Sequence, residues 1–259
     1  MTAILHPKFP DDLWPLALSA RLPGVQPGPR DWLRCDQMYP QQMALRDRLI
    51  AQRHDDVIAA RPEASSALAE LYGMGQAACA DLPGFSVRPD HVVRPGGARV
   101  PLNPRAPLET LGRLFQQDLC LLQPGPEGHV LTAAVLCFPA SWALSDKIGR
   151  PLVPIHAPVP SYTPDIAARV QRLFDGIRPD APLMRANLLL YDDPALFQPR
   201  RQSDPRLPGR SPGFVRSERQ ILMRLPESGA VVFSIHTIVV ALADLGEAQR
   251  ADLRRAGRI

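Results

Sequence analysis

RSERQILMRLPESGAVVFSIHT, residues Arg216–Thr237, decides the fold class. It contains one strand candidate, Gln220–Leu225, and most of a second, Ala230–Val240. The second is the longest in the chain and is dominated by β-branched residues, which suit a pleated, half-buried surface. Working outward, Met184–Tyr191 is a third candidate, set off by a long Arg/Pro-rich loop. Leu119–Leu122 and His129–Cys137 are joined by PGPEG, a turn by composition. Leu108–Gln117 predicts a short helix before the first strand. Asp165–Phe174 puts Ile166, Val170, Leu173 and Phe174 on one helical face. Upstream, Tyr39–Ala60 carries Leu45, Leu49, Ile50, Val57 and Ile58 at helical period, with Pro40 in a first turn. Ser65–Leu82 is Ala-rich and closed by Pro83-Gly84, a second helix. From there to Pro107 a Pro/Gly-rich connection has room for a short hairpin. The pattern predicts an α+β protein, a mainly antiparallel five-stranded sheet with helices on one face. The expected division is an N-terminal helical extension over 1–106, a core over 107–245 and a C-terminal helix or tail over 246–259.

The 259 residues suffice for one large domain, and a chain 45% apolar and 22% charged has an ordinary globular composition. Thirty prolines are not ordinary. They cluster at 22–30, 82–107, 150–164 and 198–212, so stiff loops separate the regular elements. The net charge of +4 is spread along the chain apart from Arg200, Arg201, Arg206 and Arg210. No aromatic-interleaved basic stripe is present, so nucleic-acid binding is not expected, and the arginine cluster reads as a solvated loop or a docking patch for an acidic redox partner. Cys35, Cys79, Cys120 and Cys137 form no C-x-x-C pair, which excludes zinc-ribbon, ferredoxin-type and covalent haem spacings. Cys120 and Cys137 lie in apolar runs and read as buried thiols. Neither a secretory signal nor an apolar run long enough to span a bilayer is visible, so the expectation is a cytoplasmic protein without a membrane segment.

WALSDKIGRPLVPIHAPVPSY, Trp142–Tyr162, places His156 in a proline-stiffened, mostly apolar run. Pro154, Pro158 and Pro160 each remove a donor, which predicts an extended loop. An imidazole held on such a loop keeps a nitrogen free for a metal, although a loop histidine satisfied by backbone carbonyls is the plain alternative. GMGQAA (Gly73–Ala78) fits a loose dinucleotide fingerprint, but the preceding ALAELY is helical, so packing through small residues explains it better. His54-Asp55-Asp56 has no partner histidines and reads as a solvated helix face.

Five segments together resemble one family: WLRCDQMYPQQMALRDRLI (32–50), DLCLL (118–122), LCFPASW (136–142), SDKIGRPLVPIHAPVPSY (145–162) and RAN (185–187), followed by the Arg216–Thr237 stretch. That family is the haem-dependent oxidative N-demethylases, α-subunit-like, whose catalytic subunit is a haem-binding PAS-like domain. The resemblance implies a haem b protein that oxidises a small secondary amine such as dimethylamine to a primary amine and formaldehyde, with O2 and two electrons. It implies separate reductase and folate-binding subunits carrying FMN, a [2Fe-2S] centre and tetrahydrofolate. No flavin or NADPH fingerprint or cluster cysteines occur in this chain.

On this resemblance His156 is the expected proximal haem ligand, with Val153, Ile155 and Val159 as apolar neighbours. His236, on the same strand face as Ser234 and Val232, is the rival, with a structural or pocket-lining role expected. His6, His54, His91 and His129 are expected to face solvent. Glu218 is the expected amine anchor, with Arg185 and Tyr162 as donors; an Arg185–Glu218 ion pair is the structural alternative. Lys147 and Arg150 are expected at the haem propionates, or else in a salt bridge to Asp146 or Asp118. Two positions depart from the family pattern: Leu188 where an aromatic is expected and Gln117 where an acid is. An aromatic lining the pocket at 188 would make its loss enlarge the site. Two other readings stay open: a haem-based gas or redox sensor without turnover, and a haem-free small-molecule-binding protein.

Overall fold

The computed structural model describes residues 3–19, 23–157, 162–205 and 211–259. The strands are β1 (Gln26–Pro27), β2 (Ile58–Ala60), β3 (Ser86–Val87), β4 (His91–Val93), β5 (Arg99–Pro101), β6 (Asp118–Gln123), β7 (Val130–Val135), β8 (Leu183–Tyr191), β9 (Phe214–Arg224) and β10 (Val231–Ala241). The helices are α1 (Trp14–Leu18), α2 (Tyr39–Gln52), α3 (His54–Val57), α4 (Ser65–Ala78), α5 (Pro107–Leu114), α6 (Leu152–His156), α7 (Pro164–Gly176) and α8 (Glu247–Arg255).

The main sheet is antiparallel throughout and runs β1-β8-β9-β10-β6-β7-β2, seven strands rather than the expected five. The two extra strands, of two and three residues, come from the segment before residue 107; the predicted helix over 39–60 breaks at Arg53, and its last three residues pair with β7 as β2. Strands β3-β4-β5 form a separate small sheet within the Pro/Gly-rich connection.

Helices pack on both faces of the sheet, not on one. Strand alternation divides the apolar side chains into two sets. One set, including Cys120, Leu122, Leu222, Val231 and Ile235, packs against Leu152 of α6 and Phe174 of α7. The other meets α2, α4 and α5 through Leu119, Leu121 and Val232, and α1 through Ala186, Leu188 and Val215. The N-terminal hundred residues are amphipathic cover for this second face. GMGQAA lies in α4, where a Cβ on Gly75 would stand 2.4 Å from Leu111 Cδ2 of α5, so the small residue is a packing device as expected.

Two polar ties hold these layers in place. Asp118, fully buried, accepts from Arg46 Nη1 of α2 at 2.6 Å and from the backbone N–H groups of Cys137 and Phe138 at 2.7 and 2.8 Å. Arg224, ending β9, donates to the carbonyls of Phe174 (2.5 Å) and Ile177 (2.6 Å), satisfying the exposed C-terminal end of α7. The β9–β10 turn uses Gly229 at φ +70°, and its Glu227 and Ser228 N–H groups donate to the Glu70 carboxylate of α4 at 2.7 and 2.8 Å.

Candidate functional site

Register brings a polar patch together on the face covered by α6 and α7. Arg185 lies opposite Gln220 and Asn187 opposite Glu218; across β9, Gln220 faces Ile235 and Glu218 faces Thr237. Directly opposed residues share a face. Glu218, 6% exposed, is held by two partners. Its Oε2 accepts from Asn187 Nδ2 and from Gln220 Nε2, each at 2.8 Å, and its backbone N–H donates to Asn187 Oδ1 at 2.8 Å. No hydrogen bond reaches Oε1 among the described residues. Arg185 and Glu218 attract each other but form no ion pair within 4.0 Å, so the structural alternative for this pair is not what the fold adopts. Burial holds the Arg185 guanidinium below its ordinary pKa, against the raising effect of Glu218.

His156 stands on α6, over the same face. The segment is a short helix, Leu152–His156, and not the extended loop expected from its prolines. Pro154 is the third residue of that helix, where the N–H would have no intrahelical acceptor. His156 Nδ1 lies 2.8 Å from the Leu152 carbonyl. A carbonyl only accepts, so Nδ1 carries the proton and Nε2 presents its lone pair. Burial lowers the His156 pKa below 6.5; the Leu152 bond opposes this and the Lys147 and Arg185 charges assist it, so the ring is neutral and ligand-ready at neutral pH. Tyr162 stacks on the imidazole, ring centroids 4.3 Å apart and planes 15° from parallel.

Four buried polar atoms in this neighbourhood have no partner among the described residues: Tyr162 Oη, Arg185 Nε, Gln220 Oε1 and Thr237 Oγ1. Six more such atoms are spread through the rest of the described residues, but Arg185, Gln220 and Thr237 share one sheet face, where a ligand or ordered water would satisfy them. Asn187, Gln220 and Thr237 were not singled out from the sequence. Period-two alternation from Glu218 reaches Gln220, but the pairing with Asn187 and Thr237 needs the register.

Lys147 donates its ammonium to the Ile155 carbonyl one residue before His156, and burial lowers its pKa. Arg150 is exposed. Neither pairs with Asp146 or Asp118 among the described residues: Asp118 is taken by Arg46, and Asp146 accepts from the Gln202 N–H at 2.6 Å. Pro158, Val159 and Pro160, and Arg206 and Arg210 of the arginine cluster, lie outside the described residues.

The other histidines are elsewhere. His236 is buried on the opposite face, where its Nε2 and that of His6 both lie 2.8 Å from Asp36 Oδ2. The three could surround a metal ion. Yet His6 Nδ1 accepts from the Val239 N–H at 3.3 Å, and Gln117 Nε2 donates to His236 Nδ1 at 2.9 Å. Both Nε2 atoms therefore carry protons and donate to Asp36, which makes this a structural tie between the N-terminal segment and β10. His6 and His129 are 3% and 2% exposed, not solvent-facing: His6 is drawn in by Asp36, and His129 packs on Phe174 with Gln171 on its Nδ1. Leu188 is buried among Ala186, Val215 and Ile238 on the face away from Glu218, so it does not line the patch and its identity cannot enlarge it. Two surface depressions of about 500 and 480 Å3, beside Arg172 and Arg113, contain none of these site residues.

The fold is thus α+β, with one neutral imidazole and a polar patch on the same face of an antiparallel sheet. Residues 25–258 match the family described as haem-dependent oxidative N-demethylase, alpha subunit-like, and the chain belongs to that family. Its description gives the class a haem-dependent oxidative chemistry and the place of one subunit among others. No helix among the described residues is long and apolar enough to cross a membrane.

Proposed function

We propose that this chain is a PAS-like, haem b-binding oxygenase subunit that removes a methyl group from a small secondary amine such as dimethylamine. The observation that carries this is His156: Nδ1 is committed to the Leu152 carbonyl, Nε2 has no hydrogen-bond partner among the described residues, and four buried polar atoms around the patch likewise have none among them. That donor set suits an axial ligand, because a second bond fixes the tautomer and ring orientation of a ligating histidine. In support of the PAS-like reading, the five long strands are contiguous in the sheet, and the excursion between β7 and β8 lays α6 and α7 across one face.

His156 Nε2 would hold the haem iron, with Lys147 and Arg150 on the adjoining segment paired to its propionates. The haem would supply the activation of O2 for a two-electron oxidation of an N-methyl group. The protein's share is binding and orientation. The Glu218 carboxylate, fixed through Oε2 by Asn187 and Gln220, would take the ammonium N–H on Oε1. Arg185, on the sheet, would donate to oxygen at the reacting side, whereas Tyr162, stacked on the His156 ring, would stay on the side of the axial ligand and not act as the expected donor. The balanced reaction consumes dimethylamine, O2, two electrons and two protons, and yields methylamine, formaldehyde and water. Electrons would come from a separate reductase with FMN and a [2Fe-2S] centre, and formaldehyde would pass to a tetrahydrofolate-binding subunit. Four free thiols and no spanning helix among the described residues agree with a cytoplasmic setting. The polar patch favours turnover over gas sensing, which needs no amine anchor.

The test is formaldehyde release from dimethylamine by haem-supplied protein with a chemical reductant, wild type beside Glu218→Gln. Glu218→Gln should keep its haem and lose formaldehyde release. Turnover at the wild-type rate in that variant would refute the anchor.

A further inference from the structure

We infer that Gln220 is the residue by which this site counts the N–H groups of its ligand, selecting a secondary ammonium over a tertiary one. The inference rests on the reading of Glu218 as the ammonium anchor. A carboxylate alone attracts every small primary, secondary or tertiary ammonium, because each brings the same charge and at least one N–H. Discrimination needs a second acceptor at a set place.

Gln220 supplies it. Its carboxamide cannot be turned end for end, since Nε2 lies 2.8 Å from Glu218 Oε2 and only an N–H group is attracted to a carboxylate there. Oε1 is therefore directed away from Glu218 Oε2. It is buried, in a residue 5% exposed, and has no donor among the described residues. Across the strand pair Arg185 stands opposite in register, yet its Nε also has no partner among the described residues. The two neighbours do not satisfy each other. A buried carbonyl without a donor is costly, and a ligand that brings one removes the cost.

A dialkylammonium has two N–H groups, one for Glu218 Oε1 and one for Gln220 Oε1. A trialkylammonium has one and leaves Gln220 Oε1 buried and unpaired. A primary ammonium satisfies both acceptors, so the selection acts against tertiary and quaternary amines only. One unmade hydrogen bond to a buried acceptor corresponds to about tenfold or more in affinity.

The experiment is calorimetric titration of the full-length, haem-supplied protein with dimethylammonium chloride and with trimethylammonium chloride. Wild type should bind the first about tenfold or more tighter. Gln220→Leu, which also removes the Nε2 bond to Glu218 Oε2, should bring the ratio of the two affinities close to one whatever their common level, and Gln220→Met is the second variant should the leucine protein fail to fold. A preserved tenfold preference in either, or no preference in wild type, overturns the inference. Glu218→Gln separates the two readings. If it loses both ammonium ions while Gln220→Leu keeps the wild-type ratio, only the role of Gln220 fails. If wild type binds neither ion, or Glu218→Gln binds both like wild type, the anchor fails and this inference with it.

Discussion

Asp118→Asn perturbs the tie that joins α2 to the segment leading toward His156. The carboxylate is 0% exposed and accepts three hydrogen bonds; its partner Arg46 is also 0% exposed. Arg46 keeps the Gly112 and Gln116 carbonyls at 2.9 and 3.2 Å, but neither carries a countercharge. Removing one partner of a buried ion pair costs about 3–5 kcal/mol, because the other charge stays uncompensated. Asparagine also turns an NH2 group toward one of two backbone donors. We expect a loss of about 4 kcal/mol, and more for Asp118→Ala, which strands both the Cys137 and Phe138 N–H groups. At about 2–4 °C per kcal/mol for a chain of this size, the midpoint should fall by about 8–16 °C. Urea unfolding followed by tryptophan fluorescence and calorimetry both report it. Arg46→Met with Asp118→Leu should recover the charge-related part and not the part due to the two backbone donors. A loss under about 1 kcal/mol for Asp118→Asn would refute the reasoning, since the pair would then be solvated.

Gly75→Ala should destabilise by about 1–3 kcal/mol through overpacking against Leu111, whereas Gly73→Ala, with nothing within 4 Å, should stabilise by about 0.5–1 kcal/mol. Thermal melts of the two variants should shift in opposite directions. Acid should destabilise the fold in two stages. Burial holds the His129, His156 and His236 pKa values below 6.5, so the unfolded chain takes up protons first and stability is lost as pH falls below about 6.5. Burial works against ionising Asp36, but its bonds to His236 and His6 outweigh this and hold the carboxyl below 3.8, adding a second loss below that pH. A midpoint that stays level or rises between pH 7 and pH 5 would contradict the first stage.

β6, β7, β8, β10, α4, α5 and α7 were legible because each carries a clear apolar period and turn residues at its ends, whereas β9 begins at Phe214, six residues before the expected Gln220, because the polar run RSERQ shows no apolar period. β1 and β2 were not, since strands of two and three residues have no period to read, and β2 continued a helical pattern whose break at Arg53 depends on pairing with β7. α6 was hidden by Pro154, which reads as a helix breaker unless its place in the first turn is known. At the site, His156, Glu218, Arg185 and Tyr162 came from the resemblance. Strand register brings in Asn187, Gln220 and Thr237, and places His236 and Leu188 on the opposite face.

The absorption spectrum of the protein expressed with a haem supply, beside His156→Ala, tests the central claim most directly. The account predicts a Soret band in wild type that is lost or shifted in His156→Ala while the fold persists. No haem uptake by wild type, under conditions where a known haem protein loads fully, or an identical Soret band in His156→Ala, would contradict it.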